Sequence, residues 1–413
     1  MIKTVKKDST NASGAAAESL TRNIQRLAFG VRRSVFKAFV LLFFFQMLAA
    51  AEWIPPPLTT ESGYRVPQPD YVPQVPRDHG AHPGYAIEWW YWVGHLKSVD
   101  GSREFGFQST VFRLEGDAET SRPKMQQIPF GTQQLFMTHV ALSEIKTAQY
   151  VHAERILREG WQARASTETL DLEVGPIIAH WDAAESCIEK RVALPENRSL
   201  EMRLRPLKPL VAFGERGLSR KGDDPSAVSW YWTYPRLEIT GVLIEGDQRT
   251  EVSGTGWMDH EISSSQLSDN MVGWDWTAIQ LVDGTEVKIY RLRTREGDSD
   301  RWSPVCWIDS AGGTQHIYAK DFQWQTGKVW RSDQTGNRYP NEVTIRALHP
   351  VTGKEMVYHL KPRFNAQEFI GNQSDNAYWE GACEVFDEDG RRIGKAYMEL
   401  VGYGGSMVDR LKW

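Results

Sequence analysis

Three short stretches of this chain set a carboxylate among large rings: EWWYW (88–92), WMDHE (257–261) and GWDW (273–276). Desolvation in such surroundings disfavours the charged form of a carboxyl group. The group therefore either collects hydrogen bonds as a structural clamp or works as a proton donor with a raised pKa. On a strand, alternate residues share a face. Glu88, Trp90 and Trp92 then point one way and Trp89 and Tyr91 the other, so both faces of that strand carry rings. Trp257, Asp259 and Glu261 share one face, and Met258, His260 and Ile262 the other. That separation keeps the Asp-His-Glu group from chelating one ion; no nearby motif supplies further ligands, and no metal site is predicted. Asp275 faces away from Trp274 and Trp276. It follows His260 by fifteen residues, which lets Asp259, His260 and Asp275 meet at a junction between two domains, a common place for ligand sites.

The candidate catalytic residues are thus Asp259, His260, Asp275 and Glu88. The candidate substrate-binding rings are Trp90, Trp92, Trp257, Trp274 and Trp276. Adding water to a C=C bond requires a strong acid in a dry pocket, aromatic faces that stabilise a carbocation, and a positioned water; a carboxyl group among tryptophans meets the first two needs. The same rings would equally line the cavity of a transport protein, with the polar group as a lid or clamp. Other chemistries lack their signatures. There is no G-x-S-x-G, GRRIGK (390–395) falls one residue short of a phosphate loop, and no G-x-G-x-x-G precedes a helical pattern, so no cofactor is predicted.

The elements that must position these residues read as short strands. FGFQSTVFRL, QLFMTHVALS, LEITGVLIEG, EVKIYRLR, EVTIRAL and KAYMELVGY alternate apolar and polar residues between turn signals, a pattern of antiparallel barrels or sandwiches. The chain also echoes itself. Residues 90–114 and 274–293 each run W-x-W, Leu, Asp-Gly and a strand containing Arg-Leu, so two related β-barrel domains are predicted, joined near SSSQLSDN (263–270).

Residues 1–37 carry eight Lys/Arg against two acids and precede AFVLLFFFQMLAA (38–50) and a further Ala51. This reads as a basic n-region, an h-region too short to span a bilayer comfortably and an A-x-A cleavage site. Residues 1–51 are thus expected to be a signal peptide that leaves no stable transmembrane segment, and the protein to be periplasmic or secreted. Cleavage after Ala51 would leave 40 Lys/Arg against 51 Asp/Glu, an acidic chain with no basic patch for nucleic acid. Residues 52–80 form a proline-rich lead segment, with seven prolines between 54 and 80. Three distant cysteines, Cys187, Cys306 and Cys383, allow one disulfide and no disulfide framework.

EWWY followed by GH-L and DG-EFGFQ, then GTGWMDHE with SSQL and GWDW, then YWEGA (378–382) and YMELVGY (397–403) resemble the family of AttH-like proteins and carotenoid 1,2-hydratases, also called hydroxyneurosporene synthases. The resemblance runs from about residue 80 to the C-terminus. One departure is Ile262, where relatives carry tryptophan after D-H-E. The resemblance implies an all-β chain of two lipocalin-like antiparallel β-barrel domains in tandem, here 81–262 and 263–413. It further implies a cofactor-independent hydratase acting on an apolar, carotenoid or lipid-like small molecule. A lipocalin-type binder without catalysis and a secreted hydrolase are the alternatives.

Overall fold

The computed structural model describes residues 53–116, 134–265, 267–268 and 270–405; the predicted signal peptide lies outside them. The described chain is all-β, with only two single-turn 3-10 helices, Arg77–His79 and Ala319–Asp321. Among the described residues no helix is long and apolar enough to cross a membrane. Strands between Ile87 and Ser263 form a 13-stranded antiparallel sheet, and strands between Met271 and Leu400 a 10-stranded one. The first curls into a nearly closed barrel, because strands from both of its ends bury their inward residues in one cluster. The second curls round a core of its own that includes Ile289, Val305, Tyr358 and Trp379.

The two halves begin alike. The EWWYW strand (Ile87–Ser98) turns through Asp100-Gly101 into Glu104–Leu114, and the GWDW strand (Met271–Leu281) turns through Asp283-Gly284 into Glu286–Thr294. Both turns use the same chemistry. Asp100 and Asp283 each accept a hydrogen bond from the backbone N–H two residues on, at 3.0 and 2.9 Å. Gly101 and Gly284 take φ of +74° and +88°, a region side chains disfavour. Each opening strand also pairs with the last strand of its own sheet, Gln248–Ser263 in the first and Arg392–Leu400 in the second.

A third apolar cluster lies between the sheets and joins Tyr91, Val93, Tyr231 and Trp257 to Trp276, Tyr290, Ala382 and Tyr397. This explains the rings on both faces of EWWYW. Trp90 and Trp92 fill the barrel, while Tyr91 and Val93 meet the second sheet. Fully buried tryptophans of this kind are worth about 3–5 kcal/mol each against alanine. Polar contacts fix the docking. Glu286 of the second sheet receives Lys208 at 2.5 Å and Arg236 at 2.6 Å from the first. Arg236 follows Pro235, which has no N–H to give and sits where the register of the long Val228–Glu245 strand shifts.

The proline-rich segment crosses the end of the barrel, where Tyr71 stacks on Trp230 at 4.4 Å and the Trp230 ring donates to the Gln68 carbonyl at 2.9 Å. Cys187, Cys306 and Cys383 are buried free thiols.

Candidate active site

The four candidate catalytic residues do not gather at one point. Glu88 points into the barrel end, fully buried. Its Oε1 accepts from His82 Nδ1 at 2.7 Å and His260 Nε2 at 2.8 Å, and its Oε2 accepts from the His82 N–H at 2.8 Å and Arg113 Nε at 2.9 Å. Burial alone would raise its pKa, but His82 and Arg113 hold it well below the usual carboxylate range. His82, in turn, is pushed up to about 9: its burial opposes the charge, but Glu88 and Asp78 outweigh it. Donor atoms of His82, Glu88 and His260 lie within 4.8 Å of one another, the set among the described residues that could hold a cation. Each converging atom already has a partner, however, and a guanidinium shares the carboxylate, so the cluster is a clamp, in which only His260 Nδ1 lacks a partner among the described residues. Sequence reasoning had the clamp as one alternative for Glu88 but missed His82 and Arg113, which come from other segments. His260 lies on the same side, stacked on Trp90 at 4.9 Å. Ile262, the departure from the family pattern, is the cross-strand partner of Glu88 and shares its face.

Asp275 takes a third direction. It bonds Arg291 at 2.8 Å, Arg293 at 3.1 Å and the Tyr403 hydroxyl at 2.9 Å, on the side of its strand opposite Trp274 and Trp276. The expected meeting of Asp259, His260 and Asp275 is therefore corrected. Neighbours on one strand face opposite ways, and the second sheet turns its tryptophans rather than Asp275 toward the first. Trp90 and Trp92, expected to bind substrate, are core residues of the barrel.

Asp259 does face a cavity, one of about 410 Å³ between the sheets. Its wall on the first sheet is built from successive cross-strand rows. The outer rows are mostly apolar: Ile87, Leu114 and Leu135, then Trp89, Phe112, Met137 and Ile156, with Glu261 beside Trp89 at the end of the second row. Two residues further along the EWWYW strand the row turns polar and reads Thr233, Asp259, Tyr91, Thr110, His139 and Glu154. The second sheet closes the space with Trp274, Trp276, Tyr290, Tyr378 and Glu399. Ile156, 36% exposed, marks the apolar rim. Trp257 does not line the cavity; its ring N–H holds Asp259 from behind at 2.8 Å.

The acidic groups around this cavity differ sharply in environment. Asp259 accepts from Trp257, from the Tyr231 hydroxyl at 2.7 Å and from the Thr233 hydroxyl, so all its neighbours donate. Glu261 is paired with Lys221 at 2.8 Å, both 1% exposed. Glu399 is different. Its one hydrogen bond among the described residues comes from the Trp274 ring at 3.0 Å, and burial, with the nearby Asp259 charge, pushes it up to about 7. Glu380 is its direct cross-strand partner, fully buried, with Oε1 taking the Tyr91 hydroxyl at 2.7 Å and Oε2 lacking a hydrogen-bond partner. Burial and Glu399 push Glu380 well above the ordinary glutamate range. Two opposed carboxyl groups in a dry site cannot both ionise cheaply, so the pair retains a proton near neutrality. Neither was singled out from the sequence, although each lies in an aromatic-rich motif, YWEGA and YMELVGY.

The cavity thus combines apolar walls, a half-buried acid with a raised pKa and an anchored carboxylate, and comparison with known proteins adds a scaffold. A Nitrosomonas europaea protein described as an AttH has a similar crystal structure, with a TM-score of 0.70 and 29% identity over 81% of this chain and 98% of that one. Kievitone hydratase from Nectria haematococca shares the fold at a TM-score of 0.58 and 12% identity, over 84% of this chain and 98% of that one. A search of curated protein sequences gives no significant match. The AttH-like family profile matches residues 66–403, and the chain belongs to the AttH-like family.

Proposed function

We propose that this protein is a cofactor-independent hydratase that adds water to a C=C bond of an apolar polyene or lipid-like molecule, a reaction of the carotenoid 1,2-hydratase type. The observation that carries the reading is Glu399, a carboxyl group pushed up to about 7 in an aromatic cavity and flanked by Asp259. An acid of that pKa is about half protonated at neutral pH and can give its proton to carbon within the aromatic walls of the cavity. The carbocation so formed lies among the Trp89, Trp274 and Trp276 rings and near the Asp259 carboxylate, both of which stabilise positive charge. Water then adds to the cation. The fold shared with a kievitone hydratase supports a scaffold able to host water addition. At about 410 Å³ the cavity is of small-molecule size. A long polyene would enter end on, past the apolar rows, and present one terminal double bond to the acid. The basic and apolar N-terminal stretch supports action outside the cytoplasm, in the periplasm or beyond.

The test is a panel of acyclic terpenoid and carotenoid alkenes incubated with the protein in H2(18)O, with mass spectrometry of the products. The proposal expects an added oxygen-18 hydroxyl, and a loss of rate of about 100-fold or more in Glu399→Gln, the usual weight of a general acid. Binding of these alkenes without oxygen incorporation would reject the enzyme and leave an apolar-ligand binder.

A further inference from the structure

The polar row of the cavity contains groups that the acid chemistry leaves unused. His139 and Glu154 are direct cross-strand partners on the first sheet, and Tyr378 reaches them from the second. His139 Nδ1 lies 2.8 Å from the Tyr378 hydroxyl, and its Nε2 lies 3.2 Å from Glu154 Oε1. His139 is 1% exposed and stacked on Phe369 at 4.3 Å, so the ring cannot swing. Glu154 is anchored in turn by the backbone N–H groups of Gln373 at 2.6 Å and Ser374 at 2.9 Å, and by the Ser374 hydroxyl. Both Tyr378 and His139 line the cavity.

The arrangement fixes the tautomer. Glu154 is acceptor only, held at about 2 because donors from His139, Ser374 and Gln373 outweigh the effect of its burial. Nε2 therefore carries the hydrogen, and Nδ1, without one, accepts the Tyr378 O–H. We infer that Tyr378, His139 and Glu154 form a proton relay on the cavity wall, with the Tyr378 hydroxyl oxygen as the reactive atom, His139 as its base and Glu154 as a positioning residue. Burial keeps His139 below its ordinary value, hence neutral and able to take a proton. The phenol is no standing phenolate, since burial and Glu380 push it well above its ordinary value. Its proton has to leave as the oxygen reacts, the logic of a Ser-His-Asp triad with tyrosine in the first place.

Its use in hydration rests on the function proposed above. Glu399 gives its proton to carbon. The water oxygen bonds to the cationic carbon and releases a proton to the Tyr378 oxygen, as the phenol proton passes to His139 Nδ1. Return of that proton to Glu399 leaves one water added and every group restored.

The relay is testable without a substrate. Phenylmethylsulfonyl fluoride is a small apolar electrophile; attack by the Tyr378 oxygen forms an O–S bond, expels fluoride and sends the phenol proton to His139. Peptide mass spectrometry of the full chain should find Tyr378 labelled first among the cavity tyrosines. His139→Asn keeps an acceptor near Nδ1 but cannot carry the proton, and should slow labelling about 100-fold or more. Glu154→Gln should slow it less. Equal labelling of Tyr378 in wild type and His139→Asn, both shown folded by circular dichroism, overturns the relay. Nitrogen-15 spectra of His139 give a check independent of reagent access: a neutral ring protonated on Nε2 is expected, and the other tautomer or an imidazolium overturns it. If labelling behaves as expected but no alkene is hydrated, only the reaction class falls. Hydration that depends on Glu399 but not on His139 removes the relay alone.

Discussion

Glu399→Gln offers a test of the cavity acid that needs no substrate. A carboxyl group raised from 4.5 to about 7 binds a proton in the folded chain over a range where the unfolded chain has released it. Stability therefore falls as pH rises through that window, and the full cost stands above pH 7. A rise from 4.5 to about 7 corresponds to about 3 kcal/mol. The amide resembles the protonated acid in shape, can still accept from the Trp274 ring and never ionises. At pH 5 the variant should match wild type to within about 1 kcal/mol, and at pH 8.5 it should be the more stable by about 3 kcal/mol. Urea unfolding followed by tryptophan fluorescence, with 17 tryptophans as reporters, measures both. Groups remote from Glu399 cancel in the difference between the two proteins, and Glu380, relieved of the Glu399 charge, adds to the advantage at high pH. An advantage that is absent at pH 8.5, or equal at both pH values, would show that Glu399 is not an acid of raised pKa, and the hydration mechanism would lose its proton donor.

Four further outcomes follow from the geometry. Glu88→Gln strips His82, His260 and Arg113 of a shared carboxylate and should cost about 3–5 kcal/mol, read by urea unfolding, as for other broken buried ion pairs. His82 is raised from 6.5 to about 9, so its contribution is complete below pH 6.5 and disappears as pH rises through 9; His82→Gln should flatten the stability profile across that interval. Asp275→Ala should cost a similar 3–5 kcal/mol by stranding Arg291 and Arg293, yet leave binding of the neutral fluorophore N-phenyl-1-naphthylamine unchanged per folded molecule, because Asp275 faces away from the cavity. Met137→Glu, which puts a charge in the apolar rows, should weaken binding of that fluorophore about tenfold or more.

Whatever depends on neighbours along one strand could be read from the chain alone. Period-two alternation in EWWYW, WMDHE and GWDW correctly separated Glu88 from Tyr91, Asp259 from His260, and Asp275 from its flanking tryptophans. Turn residues marked the two Asp-Gly hairpins, and the family motifs carried the all-β fold. What a face meets was not legible in this way. The cavity is a product of cross-strand register: Asp259, Tyr91, Thr110, His139 and Glu154 come from five strands and share one row only because the strands pair as they do. Glu399 and Glu380 face each other through another such pairing. Their raised pKa values come from burial between two sheets, a property of the packed molecule rather than of any motif. Glu88 shows the converse. Its aromatic neighbours left a clamp and an acid both open, and His82, Arg113 and His260, brought to it from elsewhere in the chain, make it a clamp. Alternation is set by local covalent geometry and reads directly from the chain, whereas the charge state of a buried carboxyl group is set by whichever partners tertiary folding delivers.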